Sequence, residues 1–327
     1  MRKFVFLVLA LALGFVVTAL PMAQSGGDAS YTPKRINKAV ELLAAGEPVY
    51  YFQIPGGGYE EGRRHAKTWA DAIGYNVEQA PFSARELREF IQGLIDGGPT
   101  PSGHRTPAVI VTLPVGGIDE MTVRANYWMM EQVLAAGAHG ILLVHMREEG
   151  AARAFVQASR YPHAPKADGI GEGLRGSGGQ GLAAEMWGIS ASEYIKKADP
   201  WPLNPEGELF LGLKLENQES AANSDAICRV PGLAFVEWGP GDMGMSFGNP
   251  DAHDPPYPEE MDRVRNEIKG AADRNGLKFL CSWNDPNKDD AENIQVLIDM
   301  GAHIFSGGGE EKATVGRKMT NRQMPVG

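Results

Sequence analysis

The stretches "LFLGLKLENQES", Leu209 to Ser220, and "LAFVEWGPGDMG", Leu233 to Gly244, decide the fold. Each is a short apolar run of strand-favouring residues that stops in a polar turn carrying one carboxylate, Glu216 or Asp242. Six more such runs lie outward from this pair: "PVYYFQI" from Pro48, "IGYNVEQ" from Ile73, "AVIVTLP" from Ala108, "GILLVHM" from Gly140, "LKFLCSW" from Leu277 and "HIFSGGG" from His303. Between them run helix-like segments: "EEGRRHAKTWADAI", "SARELREFIQGLI", "MTVRANYWMMEQVLAAG" and "PEEMDRVRNEIKGAADRNG". Strands that are apolar on both faces and alternate with helices belong to a parallel sheet covered by helices. Eight βα units predict an α/β fold, a single (β/α)8 TIM barrel over residues 31–327. The stretch from Tyr161 to Gly207, with "DGIGEGLRGSGGQG", exceeds one connection and predicts a long loop insertion acting as a working loop or lid.

Composition narrows the partners. The 327 residues are 43% hydrophobic and 22% charged, with 31 basic against 41 acidic side chains, so attraction to nucleic acid is not expected. Residues 1–23 carry Arg2 and Lys3, an apolar run and small residues at Ala19 and Ala23, the layout of a secretory signal peptide. The expectation is an exported protein, periplasmic or secreted, without stable membrane insertion once that segment is cleaved. An uncleaved anchor is the rival reading of the run from Phe4 to Leu20. Two cysteines, Cys228 and Cys281, are too few to form a disulfide scaffold.

In a barrel of this kind chemistry sits where strands end. Lys214 and Glu216, two apart, share one face of the fifth strand, and Asp242 follows the sixth. Two carboxylates at adjacent strand ends suit a hard divalent cation, Mg²⁺ or Mn²⁺, although each would also suit the start of a helix. His145, near the end of the fourth strand, has the pKa range of a general acid or base, and a core or rim histidine is the alternative. Glu78 and Glu237 are further candidates, with Glu237 expected to alternate away from the interior. The glycine runs at 56–58 and 307–309 could cradle phosphate but read more simply as strand-end loops. Trp187, Trp238 and Trp283 could line a pocket or fill the core. His104, His163 and His253 fit no metal-ligand spacing.

"KLEN" at Lys214 to Asn217, "GPGDMGMSFGNP" at Gly239 to Pro250, "LLAAGEP" before the first strand, "RYP" at Arg160, "GLRG" at Gly173 and "GAHIFSGGG" at the eighth strand occur in a fixed order. Together they resemble the HpcH/HpaI aldolase and citrate lyase family, whose members carry "QIE", "GPADLS" and "GNP" in that sequence. The resemblance implies a barrel of the phosphoenolpyruvate/pyruvate type. It also implies a metal-dependent carbon–carbon lyase, class II aldolase-like, working through the enolate of a 2-oxoacid or related carboxylate. Glu216 and Asp242 would hold the metal, and the backbone of Gly239, Pro240 and Gly241 would face the substrate. The family's acid–base half is changed: its "EHAP" is "EQAP" here, with Gln79 for the histidine, its substrate-holding arginine is Leu113, and its strand-5 glutamine is Lys214. A carboxamide cannot shuttle a proton, so His145 and Lys214 are the candidates for a rebuilt set. A metal-dependent hydrolase or hydratase, and a catalytically silent oxoacid-binding protein, are the alternative functions. The resemblance also implies a homo-oligomer, perhaps a hexamer, with an exchanged C-terminal helix that the tail here matches poorly.

Overall fold

The computed structural model describes residues 31–326. The signal-peptide reading of residues 1–23 therefore lies outside the described residues. Among those described, no helix is long and apolar enough to cross a membrane.

Eight parallel strands close on themselves: β1 Val49–Ile54, β2 Ala72–Asn76, β3 Ala108–Thr112, β4 Gly140–Leu143, β5 Leu209–Leu215, β6 Phe235–Trp238, β7 Lys278–Ser282 and β8 Ile304–Ser306. Each pairs with the next in chain order, β4 joins β5, and β8 returns to β1. A two-residue strand, Pro200–Trp201, adds to β5 outside the ring. The expected (β/α)8 barrel is therefore present, with strands shorter than the apolar runs because the run ends turn out of the ladder to form the mouth.

Alternation along the strands sorts the core into two parts. The inward set includes Tyr51, Ala72, Ile110, Leu142, Phe210, Phe235, Leu280 and Ile304. It is continuous with Ala39, Val40, Leu42 and Leu43 of the helix Lys38–Ala44, which closes the amino-terminal end of the barrel. Asn37 caps that helix and ties it to the starts of β4 and β5 by donating to the carbonyls of His139 and Glu208, at 3.3 and 3.0 Å. The outward set, with Tyr50, Ile73, Val109, Val111, Leu113 and Val236, packs against the surrounding helices.

The helices differ in places from the sequence reading. The segment from Glu60 is helical only over Tyr59–His65, and its end from Ala72 belongs to β2, beside a fully buried Asp71 that accepts the N–H of Tyr50. "MTVRANYWMMEQVLAAG" breaks at Asn126 into Glu120–Ala125 and Tyr127–Ala135. The excursion from Tyr161 to Gly207 is partly helical, with Gln180–Trp187 and Ala191–Lys197. It follows a complete helix, Glu149–Ser159, and is fastened to the outer layer: the Trp187 indole donates to the Gly137 carbonyl at 2.9 Å. None of its residues lines the cavity at the barrel mouth.

Candidate active site

The carboxyl ends of the strands enclose a cavity of about 750 Å³. Its walls include Tyr51 and Gln53 of β1, Gln79 after β2, Lys214 of β5 and Glu216 just after it, Glu237 of β6, the turn Gly239–Asp242, His253, Ser282, Ser306 and Gly307–Gly309.

Glu216 is 1% exposed. It does not cap a helix: Asn217 does, its side chain accepting the Ser220 N–H at 2.9 Å. Nor does Asp242 cap one, because the helix Pro240–Ser246 starts from Gly239 with Pro240 at its first position and no side-chain cap. Both carboxylates are thereby left to the cavity. Glu216 Oε2 is buried without a hydrogen-bond partner. Burial pushes the Glu216 carboxyl up to about 7, against the opposing charges of Lys214 and His145. Gly239 makes room for this oxygen, since a Cβ there would lie 2.5 Å from Glu216 Oε2.

A closed ring of charges surrounds Glu216. His145 Nδ1 lies 3.1 Å from Glu216 Oε1, and its Nε2 lies 3.2 Å from Glu78 Oε1. Lys214 Nζ lies 3.6 Å from Glu216 Oε2 and 3.8 Å from Glu78 Oε2. The His145 backbone N–H also donates to Glu216 Oε1 at 2.8 Å, which requires φ of +51° at a residue other than glycine. The hydrogen bond to Glu78 raises the His145 pKa, outweighing burial. Burial works against the Glu78 carboxylate, yet His145 and Lys214 hold it below its usual range. Donor atoms of His145, Glu216 and Asp242 all lie within 4.8 Å of one another.

The structure brings together most of the residues singled out in the sequence. Gln79, Lys214, Glu216, Gly239, Pro240, Gly241 and Asp242 all line the cavity, and His145 abuts Glu216. Two placements are corrected. Leu113 is buried in the outward core, and the last inward residue of β3 is Thr112, in register with Asn76. Leu113 therefore cannot touch a ligand in the cavity. Glu237 faces inward, in register with Lys214, because the alternation through Phe235 carries it to the interior. Lys214 is not a lowered-pKa base: burial pulls its ammonium down, but Glu237, Glu216 and Glu78 together hold it well above the ordinary value. His253 reaches the wall beside Gly241 from a loop, where no strand-end rule would find it. The three candidate tryptophans, Trp187, Trp238 and Trp283, pack elsewhere, and Trp69 borders the cavity instead. Glycines 307–309 also border it.

These features define a closed parallel barrel with a carboxylate site, Glu216 and Asp242, at the carboxyl ends of its strands. No family model matches the chain. It is 30% identical over 146 residues to a hydroxypyruvate/pyruvate aldolase of Pseudomonas aeruginosa, 45% of this chain and 48% of that one. The chain spans about half the length of the first curated relatives it matches. A solved HpcH/HpaI aldolase/citrate lyase family protein from Burkholderia cenocepacia superposes with TM-score 0.62 at 16% identity, covering 84% of this chain and 93% of that one. The citrate lyase β subunit of M. tuberculosis, solved with oxaloacetate and magnesium, gives 0.50 at 15%, covering 84% and 97%. The chain is thus similar over part of its length to hydroxypyruvate/pyruvate aldolases, and it shares the fold of the solved HpcH/HpaI aldolase/citrate lyase family proteins.

Proposed function

We propose that the protein is a divalent-metal-dependent carbon–carbon lyase of the aldolase type, acting on a 2-oxoacid or related small carboxylate. The observation that carries the reading is the buried Glu216 carboxylate at the cavity wall beside Asp242, its Oε2 without a hydrogen bond. Lys214 Nζ stands 3.6 Å from that oxygen, beyond hydrogen-bond reach, and a carboxyl pushed up to about 7 by burial would be relieved by a bound cation. Glu216 and Asp242 would hold the ion. When bound, it would act as a Lewis acid for negative charge developing on a substrate oxygen.

The chain's own residues supply the remainder. Lys214 stays cationic among its carboxylates and places a fixed positive charge on the cavity wall, in the role the family gives to an arginine. Gln79 can hydrogen-bond to substrate but moves no proton. Glu237 is 6% exposed, lines the cavity, has Oε2 unpartnered, and is raised in pKa by burial against the pull of Lys214. We assign it the proton transfer that the family's histidine performs. Solvent exchange of the methyl protons of pyruvate, with Mn²⁺ or Mg²⁺ present, tests the reading. Exchange should be metal-dependent and lost in Glu216→Ala and Asp242→Ala. Unchanged metal affinity in both variants would sink it. The proposal retains an exported location and a homo-oligomer, tested by fractionation of a tagged full chain and by light scattering.

A further inference from the structure

The same charge ring carries a second step. We infer that His145 is a third protein ligand of this cation, through Nδ1, with Glu78 holding the ring from behind, so that the site selects a first-row transition ion over Mg²⁺. The inference rests on the reading that Glu216 and Asp242 hold a cation.

Three observations converge on it. The first is the 3.1 Å between His145 Nδ1 and Glu216 Oε1. Two atoms with lone pairs at that separation need a proton or a metal ion to join them. Two neighbouring ligands at about 2.1 Å from one ion, at right angles, stand about 3.0 Å apart. The second is the role of the other nitrogen. His145 Nε2 lies 3.2 Å from Glu78 Oε1, the carboxylate–histidine arrangement that fixes the tautomer and orientation of a metal-bound imidazole. The third is backbone conformation. Among the described residues, His145 and Asn321 alone are non-glycine residues with positive φ. At His145 that conformation aims both the N–H and the ring at Glu216. Asp242 completes the set, with one donor from each residue inside a 4.8 Å span. A site of one imidazole and two carboxylates is no longer the all-oxygen shell that suits Mg²⁺, and its affinity should climb through the series from Mn²⁺ toward Co²⁺ and Zn²⁺.

The test uses the full chain stripped of metal, without substrate. Calorimetric titration should give Co²⁺ at least 100-fold tighter than Mg²⁺. His145→Gly, which suits the positive φ, should weaken Co²⁺ by 10-fold or more and Mg²⁺ by less than 3-fold. His145→Asn, also tolerant of that backbone, guards against a folding defect and should behave alike. With Mn²⁺ bound, pulsed electron paramagnetic resonance should show a ¹⁴N coupling that His145→Gly removes and Glu78→Gln retains. Co²⁺ affinity unchanged in both His145 variants, or no ¹⁴N coupling in the parent protein, would overturn the inference while leaving the carboxylate site intact. Absence of any cation binding in the parent protein, or binding indifferent to Glu216→Ala, would overturn the underlying reading and the inference with it.

Discussion

Lys214 and Glu237 stand in direct register on adjacent strands, both facing the barrel interior one layer below Glu216. The pair makes the cavity floor an acid beside a fixed cation. Glu237→Gln keeps the shape and removes the proton. Methyl-proton exchange on pyruvate should fall by about 10²-fold or more, the usual contribution of a placed acid–base group. Metal affinity should change by less than threefold. A variant with unaltered exchange would leave Glu237 without a catalytic role.

Gly239→Ala should disable the site without unfolding the barrel. Its Cβ would stand 2.5 Å from Glu216 Oε2 and 3.1 Å from Glu216 Cβ, so the carboxylate must swing away from Asp242. The backbone φ of −90° is open to alanine, which leaves the collision as the cause. Calorimetry should show metal affinity lowered by at least tenfold. Gly181→Ala, in a helix with nothing within 4 Å, is the control and should hold or gain stability by up to about 1 kcal/mol.

Lys214→Met leaves Glu78, Glu216 and Glu237 without their common cation. Breaking a buried ionic set by removing one partner costs about 3–5 kcal/mol. Denaturant melts of the metal-free variant should show this loss. Bound metal should restore more stability to the variant than to the parent, since the ion then replaces the positive charge that Lys214 supplied beside Glu216.

The barrel was legible because a buried parallel strand is a continuous apolar run, and eight of them in order leave few topologies. The metal half of the site was legible because its carboxylates end such runs. Inward and outward facing was harder to read. Glu237 reads as outward because a period of two is only as good as its starting point and strand starts are set by pairing with neighbours, while Leu113 enters only through the resemblance, which carries no parity. Asn76 opposite Thr112 and Lys214 opposite Glu237 fix the parity, and neither pairing is written locally. The ring of Glu78, His145, Glu216 and Lys214 draws on three separate strand ends, so only closure of the barrel assembles it. His253 arrives from a loop, with no periodic signal to mark it.

Asp71 is the structural counterpart of the site, at the opposite end of the strands. Its carboxylate meets Lys38 at 3.0 Å, Arg322 at 2.7 Å and Arg317 at 3.6 Å, joining the N-terminal helix to the C-terminal helix Gly309–Met319 and the tail beyond it. Burial opposes the charge, but these three cations hold the carboxyl well below its usual range. Asp71→Asn strands them, and should cost about 3–5 kcal/mol in urea unfolding at neutral pH. Because the folded pKa is depressed, the stabilisation is complete above the unfolded value near 3.9 and is lost as pH falls below it. The gap between parent and variant should therefore narrow only in strong acid.

Two histidines should make the barrel acid-sensitive at milder pH. In "GAHG" and "GAHI", His139 and His303 stand just before β4 and β8. Each ring accepts a backbone N–H through Nδ1, His139 from Val109 at 3.1 Å and His303 from Phe279 at 3.3 Å. Burial pushes both down to about 4, and His139 also stacks on Trp187. Between about pH 6.5 and 4 the unfolded chain takes up a proton at each site that the folded chain refuses, so stability falls as pH falls through that window. For His139, fully buried, the loss from pH 7 to 5 is about 2 kcal/mol, and for the half-exposed His303 it is smaller. Asparagine keeps an acceptor and does not titrate. His139→Asn should be less stable than the parent at pH 7 and should lose less on moving to pH 5, as read by urea midpoints at the two values. Equal losses in parent and variant would mean that His139 takes up its proton alike in the folded and unfolded chains.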